Sequence, residues 1–141
     1  MSDSIHPVLA IDLGDARIGI AATDDMGILA HPVETIHCAT TEPLQRIGQL
    51  IDQRRIRTLV VGLPLHSDGR EGDAAAKARA FGRQLAGLHP EIPLHYIDES
   101  FTTLSAAGKL REAGRKARQQ KGVIDQAAAV EILNTWLERD S

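Results

Sequence analysis

Short apolar runs, each stopped by a polar or glycine-rich break, dominate the first hundred residues. Val8-Leu9-Ala10-Ile11 ends at Asp12, and beyond Leu13-Gly14-Asp15-Ala16 comes the run Ile18 to Thr23. Two such runs around a Gly/Asp turn predict a β-hairpin. Gly27 and Pro32 punctuate the next stretch, and Pro32 to His37 alternates as a third strand does. From Glu42 to Arg55 the apolar positions Leu44, Ile47, Leu50 and Ile51 fall at helical spacing. Thr58 to Gly62 reads as a buried strand, and the Ala-rich stretch from about Asp73 to Leu88 as a second helix. Pro93 to Ile97 is a fifth strand that stops at Asp98-Glu99. Ser105 to Ala113 reads as a short helix and Gly114 to Gly122 as a polar connection. Asp125 to Leu137 then forms an amphipathic helix with Ala128, Ala129, Ile132, Leu133, Trp136 and Leu137 inward. The order β-β-β-α-β-α-β-α-α predicts an α/β fold with a mixed five-stranded sheet covered by helices.

Neither an internal repeat nor a linker interrupts this pattern, so residues 1–141 read as one domain. Apolar residues make up 43% and charged residues 25%, an ordinary globular composition. Aromatic residues are only 3%, which leaves the core to aliphatic side chains and argues against recognition by base stacking. Cys38 is the single cysteine, so no internal disulfide forms, in keeping with a reducing compartment. The first residues lack a secretory pattern, and no apolar run reaches the roughly 20 residues needed to cross a bilayer. A cytoplasmic protein with no membrane partner is the expectation.

The net charge of −3 argues against a polyanion partner until it is resolved by region. Lys109, Arg111, Arg115, Lys116, Arg118 and Lys121 face one acid, Glu112, giving that segment about +5 and the rest about −8. Local field steers a polyanion as much as the total does. A solvated helix end explains the same residues equally well.

Most carboxylates are solvated surface charges, so those at the ends of apolar strands stand out. Asp12 ends the first strand and Glu99 follows the fifth, and ligand sites of open α/β sheets collect beyond strand ends. Asp125 begins the last predicted helix, where an N-cap is the plainer explanation. The topology predicts that the first and fifth strands lie near one another, with the last helix starting across their ends. Three carboxylates so gathered repel unless a cation offsets them. An oxygen-only donor set favours Mg²⁺ or Mn²⁺ over zinc and leaves positions for phosphate oxygens. Gly14 permits a tight turn, and Arg17 across it is a candidate phosphate ligand, with a surface ion pair as the alternative. Asp68-Gly69 reads as turn chemistry. His6, His31, His37, His66, His89 and His95 show no metal-ligand pairing, and neither a nucleophile elbow nor a phosphate loop is present.

Four segments, in order and spanning nearly the whole chain, resemble the YqgF family, also called RuvX. They are Ala10 to Gly14 with Arg17 to Ala21; Val61 to Leu65 through Asp68-Gly69; Asp98-Glu99 with Thr102-Thr103; and Asp125 to Ala129 with Ile132-Leu133. The family is associated with maturation of the 5′ end of small-subunit ribosomal RNA and is similar in fold to Holliday-junction resolvases. The resemblance implies an RNase H-like fold and a metal-dependent nuclease site of Asp12, Glu99 and Asp125. It implies a nucleic-acid partner, pre-ribosomal RNA first and branched DNA second, with the small ribosomal subunit as a further partner. One departure stands out: the family commonly has Asp-Glu-Arg where this chain has Asp98-Glu99-Ser100, and a short hydroxyl there replaces a forked donor.

Two other classes compete. A non-catalytic RNA- or ribosome-binding protein would keep the acids for structure, and Ser100 lends it weight. A nucleotide-binding ATPase also uses Asp-x-Gly hairpins, but closing two domains over ATP needs a longer chain. Under the nuclease reading, replacing Arg115, Lys116 and Arg118 together by Ala weakens nucleic-acid binding across sequences and flattens its salt dependence. Titrations at several salt concentrations measure this, and an unchanged slope removes these residues from binding.

Overall fold

The computed structural model describes residues 5–66, 68–98 and 117–140, with side chains in the last segment described for 126–139. Strands β1 (Val8–Leu13), β2 (Arg17–Thr23) and β3 (Ala30–His37) form the opening meander. Helix α1 (Pro43–Arg54), β4 (Thr58–Leu63), α2 (Asp73–Leu88) and β5 (Leu94–Asp98) follow, and α3 (Ala117–Asp140) is the last described element. The sheet order is β3-β2-β1-β4-β5. β1 pairs antiparallel with β2 and parallel with β4, and β4 pairs parallel with β5. β1, β4 and β5 therefore end at one rim, but β4 lies between β1 and β5, where the sequence suggested only that the two lie near each other.

Alternation along the strands sorts the core into two layers. Leu9, Ile11, Leu59, Val61 and Leu63 point toward α1 and α2, where they meet Ile47, Leu50, Ile51, Ala75, Ala78 and Leu85. Val8, Ala10, Ala21, Val60 and Ile97 point to the other face and pack on Ala129, Ile132, Leu133 and Trp136 of α3. Burial on both faces explains why β1 and β4 read as unbroken apolar runs. The buried hydroxyls are satisfied: Thr23 Oγ1 accepts from the Val8 N–H at 2.9 Å, and Thr58 Oγ1 donates to the Ile5 carbonyl at 2.7 Å. Among the described residues no helix is long and apolar enough to cross a membrane.

Local chemistry sets the element ends. Glu42 caps α1 by accepting the Gln45 N–H at 2.8 Å, and Arg55 closes it in the left-handed region at φ 55°. Pro32 sits on the edge strand β3, beside a shift of register between Ile20 and Ala21; an edge tolerates the missing donor. The expected short helix at 105–113, and positions 114–116 of the expected connection, lie outside the described residues. The rest of that connection is corrected: residues from Ala117 onward, including Arg118, are helical, and Asp125 stands well inside α3. Ala117, Gln119, Gln120 and Lys121 are good helix formers, and Gly122 costs only about 1 kcal/mol without Pro to break the helix. The N-cap explanation of Asp125 is thereby removed.

The edge strand is tied to α1 by one forked ion pair. Arg46 donates from Nε and Nη2 to the two Glu34 carboxylate oxygens at 2.9 and 2.7 Å. Both side chains are about three-quarters covered. Hydrogen bonds from Arg46 hold the Glu34 carboxyl below its ordinary range against the opposing effect of burial, and the charges of Arg46 and Arg54 add to them. A lowered carboxylate pKa contributes stability that is present above the unfolded value and lost as pH falls through the folded one. Glu34→Gln should therefore cost about 1–3 kcal/mol at neutral pH. The difference from wild type in urea midpoint should shrink as pH falls toward about 3. A difference that stays constant across that range rules out the ion pair as its source.

Candidate nuclease site

Asp12 occupies the fifth position of β1, where the alternation that turns Val8 and Ala10 toward α3 turns Asp12 the same way. It is half-buried at the rim. Its register partner across the hairpin is Gly19, and Gly19 in turn is paired with Thr35 of β3. The Gln126 side-chain amide donates to Thr35 Oγ1 at 3.1 Å, which fixes the N-terminal half of α3 to this same row of the sheet. At the other end of the helix, Trp136 packs against His6 and His95, with ring centroids 6.5 and 5.9 Å away. Those histidines stand at the entrances of β1 and β5, so α3 runs antiparallel to β1. Asp125 immediately precedes Gln126 and lies three and four positions before Ala128 and Ala129, both buried. Its backbone is thus brought to the level of Asp12.

The predicted site residues divide accordingly. Asp12 and the backbone of Asp125 approach one rim; Glu99, Arg115 and Lys116 lie outside the described residues; Arg118 lies in the first turn of α3. Among the described residues no group of three His, Cys, Asp or Glu side chains is gathered. Arg17 opens β2 opposite His37, on the rim just across the turn from Asp12. The Gln126–Thr35 bond was missed by sequence reasoning, because it joins positions 91 apart and neither residue has a distinctive motif role.

The turn between β1 and β2 is tight for a visible reason. The Gly14 N–H donates to the Arg17 carbonyl at 3.0 Å, and a Cβ on Gly14 would stand 2.6 Å from that same oxygen. Beyond β4, the rim continues in a loop pinned by pairing of Leu65 with Glu71 and by the His66 N–H to the Arg70 carbonyl, 2.9 Å. Asp68 accepts from the Arg70 N–H and guanidinium, which holds its carboxyl low, and Gly69 takes φ 88°. These are turn contacts, as expected of Asp68-Gly69. The cations nearby are also engaged: Arg70 with Asp68, Lys77 with Asp15, and Arg79 with Glu71.

Strand order, crossing helix and acid-bearing rim define the RNase H-like class to which resolvase-type nucleases belong. The solved structures agree. RuvC of T. thermophilus, in complex with a Holliday junction substrate, superposes with a TM-score of 0.57 at 18% identity over 94% of both chains. The yeast mitochondrial Holliday junction resolvase Ydc2 superposes with a TM-score of 0.59 at 13% identity, over 96% of this chain and 80% of that one. Residues 6–139 match the model of the RuvX family, described as Holliday junction resolvase, and the chain belongs to that family. Two relatives share the name "Putative pre-16S rRNA nuclease". The Cutibacterium acnes protein is 50% identical over 93% of this chain and 81% of its own length. The Mycobacteroides abscessus protein is 44% identical over 93% and 80%. The family is one of hydrolases acting on phosphodiester bonds.

Because a side chain at position 14 meets backbone rather than a flexible neighbour, Gly14→Ala should lower stability by about 1–3 kcal/mol. Denaturant melts test this, and an unchanged midpoint means that the turn relaxes freely.

Proposed function

We propose that this protein is a metal-dependent endonuclease that processes the 5′ end of pre-16S ribosomal RNA, with Asp12, Glu99 and Asp125 as the acids of its site. The observation that carries the reading is the sheet row Asp12–Gly19–Thr35 with Gln126 bonded onto it. This row supports Asp125 as a neighbour of Asp12 across 113 residues of chain. The family and the names of its relatives support the substrate.

The donor set fits a hard divalent cation, Mg²⁺ or Mn²⁺: carboxylate oxygens, a half-buried Asp12 at an open rim, and a helix that presents its flank rather than its end. When bound, such an ion lowers the pKa of a water and offsets charge developing on the leaving oxygen. Asp12 contributes a fixed carboxylate, because β1 is buried on both faces up to Ile11. Asp125 contributes a second from a rigid helix. Arg17, at the hairpin, positions a phosphate, and Arg115, Lys116 and Arg118 hold the strand by backbone charge.

A branched-DNA substrate is the second reading, favoured by the family's description. The test is incubation of the purified protein with labelled pre-16S RNA and a four-way DNA junction, in Mn²⁺, Mg²⁺ or chelator. Cleavage of the RNA should require metal. Asp12→Asn should lower the rate by about a hundredfold or more while binding and Tm stay close to wild type. Cleavage that persists equally in chelator, or in Asp12→Asn, sinks the metal mechanism; preference for the junction replaces the substrate.

A further inference from the structure

The end of the sheet opposite Asp12 presents an apolar tip that no part of the nuclease reading uses. In the β2–β3 connection, Met26, Ile28 and Leu29 are 75%, 64% and 67% exposed. This connection is not loose. The Gly27 N–H donates to the Asp24 carbonyl and the Ile28 N–H to Asp24 Oδ1, both at 3.0 Å. Gly27 takes φ 69°, and a Cβ there would strike the His6 ring, which itself packs edge-on against Trp136. Three large apolar side chains are thus held out on a built turn, the condition under which an exposed patch marks an interaction site.

The tip opens onto a groove along α3. One hollow of about 530 Å³ is lined by Gly27, Ile28, Glu131, Asn134, Leu137 and Glu138. A second, of about 300 Å³, adjoins it through Glu131 and is lined further by Pro32, Ala127 and Val130. The two follow α3 from Gln126 to Glu138, roughly 18 Å at the rise of a helix. Apolar floor alternates with carboxylates, and neither hollow is lined by a cation. Asp24 and Asp25 at the foot of the tip share a separate hollow with Arg54 and Arg55, so the charge of the groove rests on Glu131 and Glu138. A polyanion is disfavoured here, whereas a polypeptide with apolar anchors and flanking Lys or Arg complements both floor and charge.

We infer that the groove between the Met26–Leu29 tip and α3 is a docking site for a basic, amphipathic segment of a protein partner. Its length accommodates about three turns of helix. Ile28 and Leu137 are the apolar seat, and Glu131, shared by both hollows, is the central charge. The tip lies at the rim away from Asp12, while the Gln126 end of the groove reaches the row of Asp12.

The probe is a fluorescein-labelled helical peptide of about twelve residues in which pairs of Lys alternate with pairs of Leu, long enough to follow the groove, read by anisotropy against the full-length protein. A Glu/Leu peptide of the same pattern is the control. Saturable binding of the Lys/Leu peptide alone is expected. The double variant Ile28→Ser, Leu29→Ser should weaken it about tenfold or more, and Glu131→Lys should weaken it and flatten its salt dependence. Leu88→Ser, which alters an exposed leucine on α2, should leave affinity unchanged. Equal affinity in the double variant, or equal weakening by Leu88→Ser, overturns the proposal. Dimerisation in sedimentation that the double variant abolishes assigns the tip to a second copy and overturns it. RNA competing for the same site assigns it to nucleic acid and overturns it likewise.

Discussion

Packing of the last helix against one face of the sheet is the contact on which the rest of the structure depends. Ala10 and Ala21 from the strands meet Ala129 from α3, and Ile132, Leu133 and Trp136 fill the space around Val8, Val60 and Ile97. Small residues on both sides let the helix lie close to the sheet, and interdigitation fixes its direction. The consequence is a fixed crossing with two ends. One end carries Gln126 to Thr35 and brings position 125 to the row of Asp12. The other lays Trp136 over His6 and His95. A buried aliphatic layer with almost no aromatic residue thus brings the backbone at positions 12 and 125, far apart in sequence, to one level of the sheet.

At the rim itself electrostatics is locally balanced. Arg70, Lys77 and Arg79 each meet a carboxylate from a neighbouring loop or helix, and each of those pairs is substantially exposed. Exposed pairs contribute little to stability, but they shape the field by removing those cations from it. Attraction for a polyanion must then come from residues that are not consumed in this way. Under the proposed function that role falls to the basic run from Lys109 to Lys121, whose last part, from Ala117, forms the beginning of α3.

Elements with a strong local signature were legible in the sequence. The hairpin, the buried runs of β1 and β4, and α2 from Asp73 to Leu88 all stand where periodicity and turn residues put them. The place of Asp12 at the rim was legible for the same reason, since an acid closing an apolar strand is a local pattern. The start of α3 was not, because Gly122 and a run of charges look like a connection until the apolar half of the helix is packed and extends the helix backward. That error mattered: it made Asp125 resemble a cap. Strand order also exceeded local information, and β4 between β1 and β5 follows from burial on both faces rather than from any motif. The Gln126–Thr35 bond had no local signal whatever.

The two rims of the sheet are chemically opposed, and the opposition has a physical logic. Phosphodiester chemistry needs an open rim where a polyanion can approach carboxylates, and that approach is repulsive unless cations intervene. The further acids at that rim, Asp15, Asp68 and Glu71, are each offset by a cation, whereas acids at the far end lie beyond the screening distance of about 8–10 Å. Glu138 stands there beside the apolar tip, with Glu131 further along the same hollow, whereas Asp24 and Asp25 share theirs with Arg54 and Arg55. The net charge of −3 therefore conceals a local unevenness: the hollows along α3 carry Glu131 and Glu138 with no cation in their lining. A helix packed antiparallel to β1 carries Glu138 to the end of the sheet away from Asp12, beside the apolar tip.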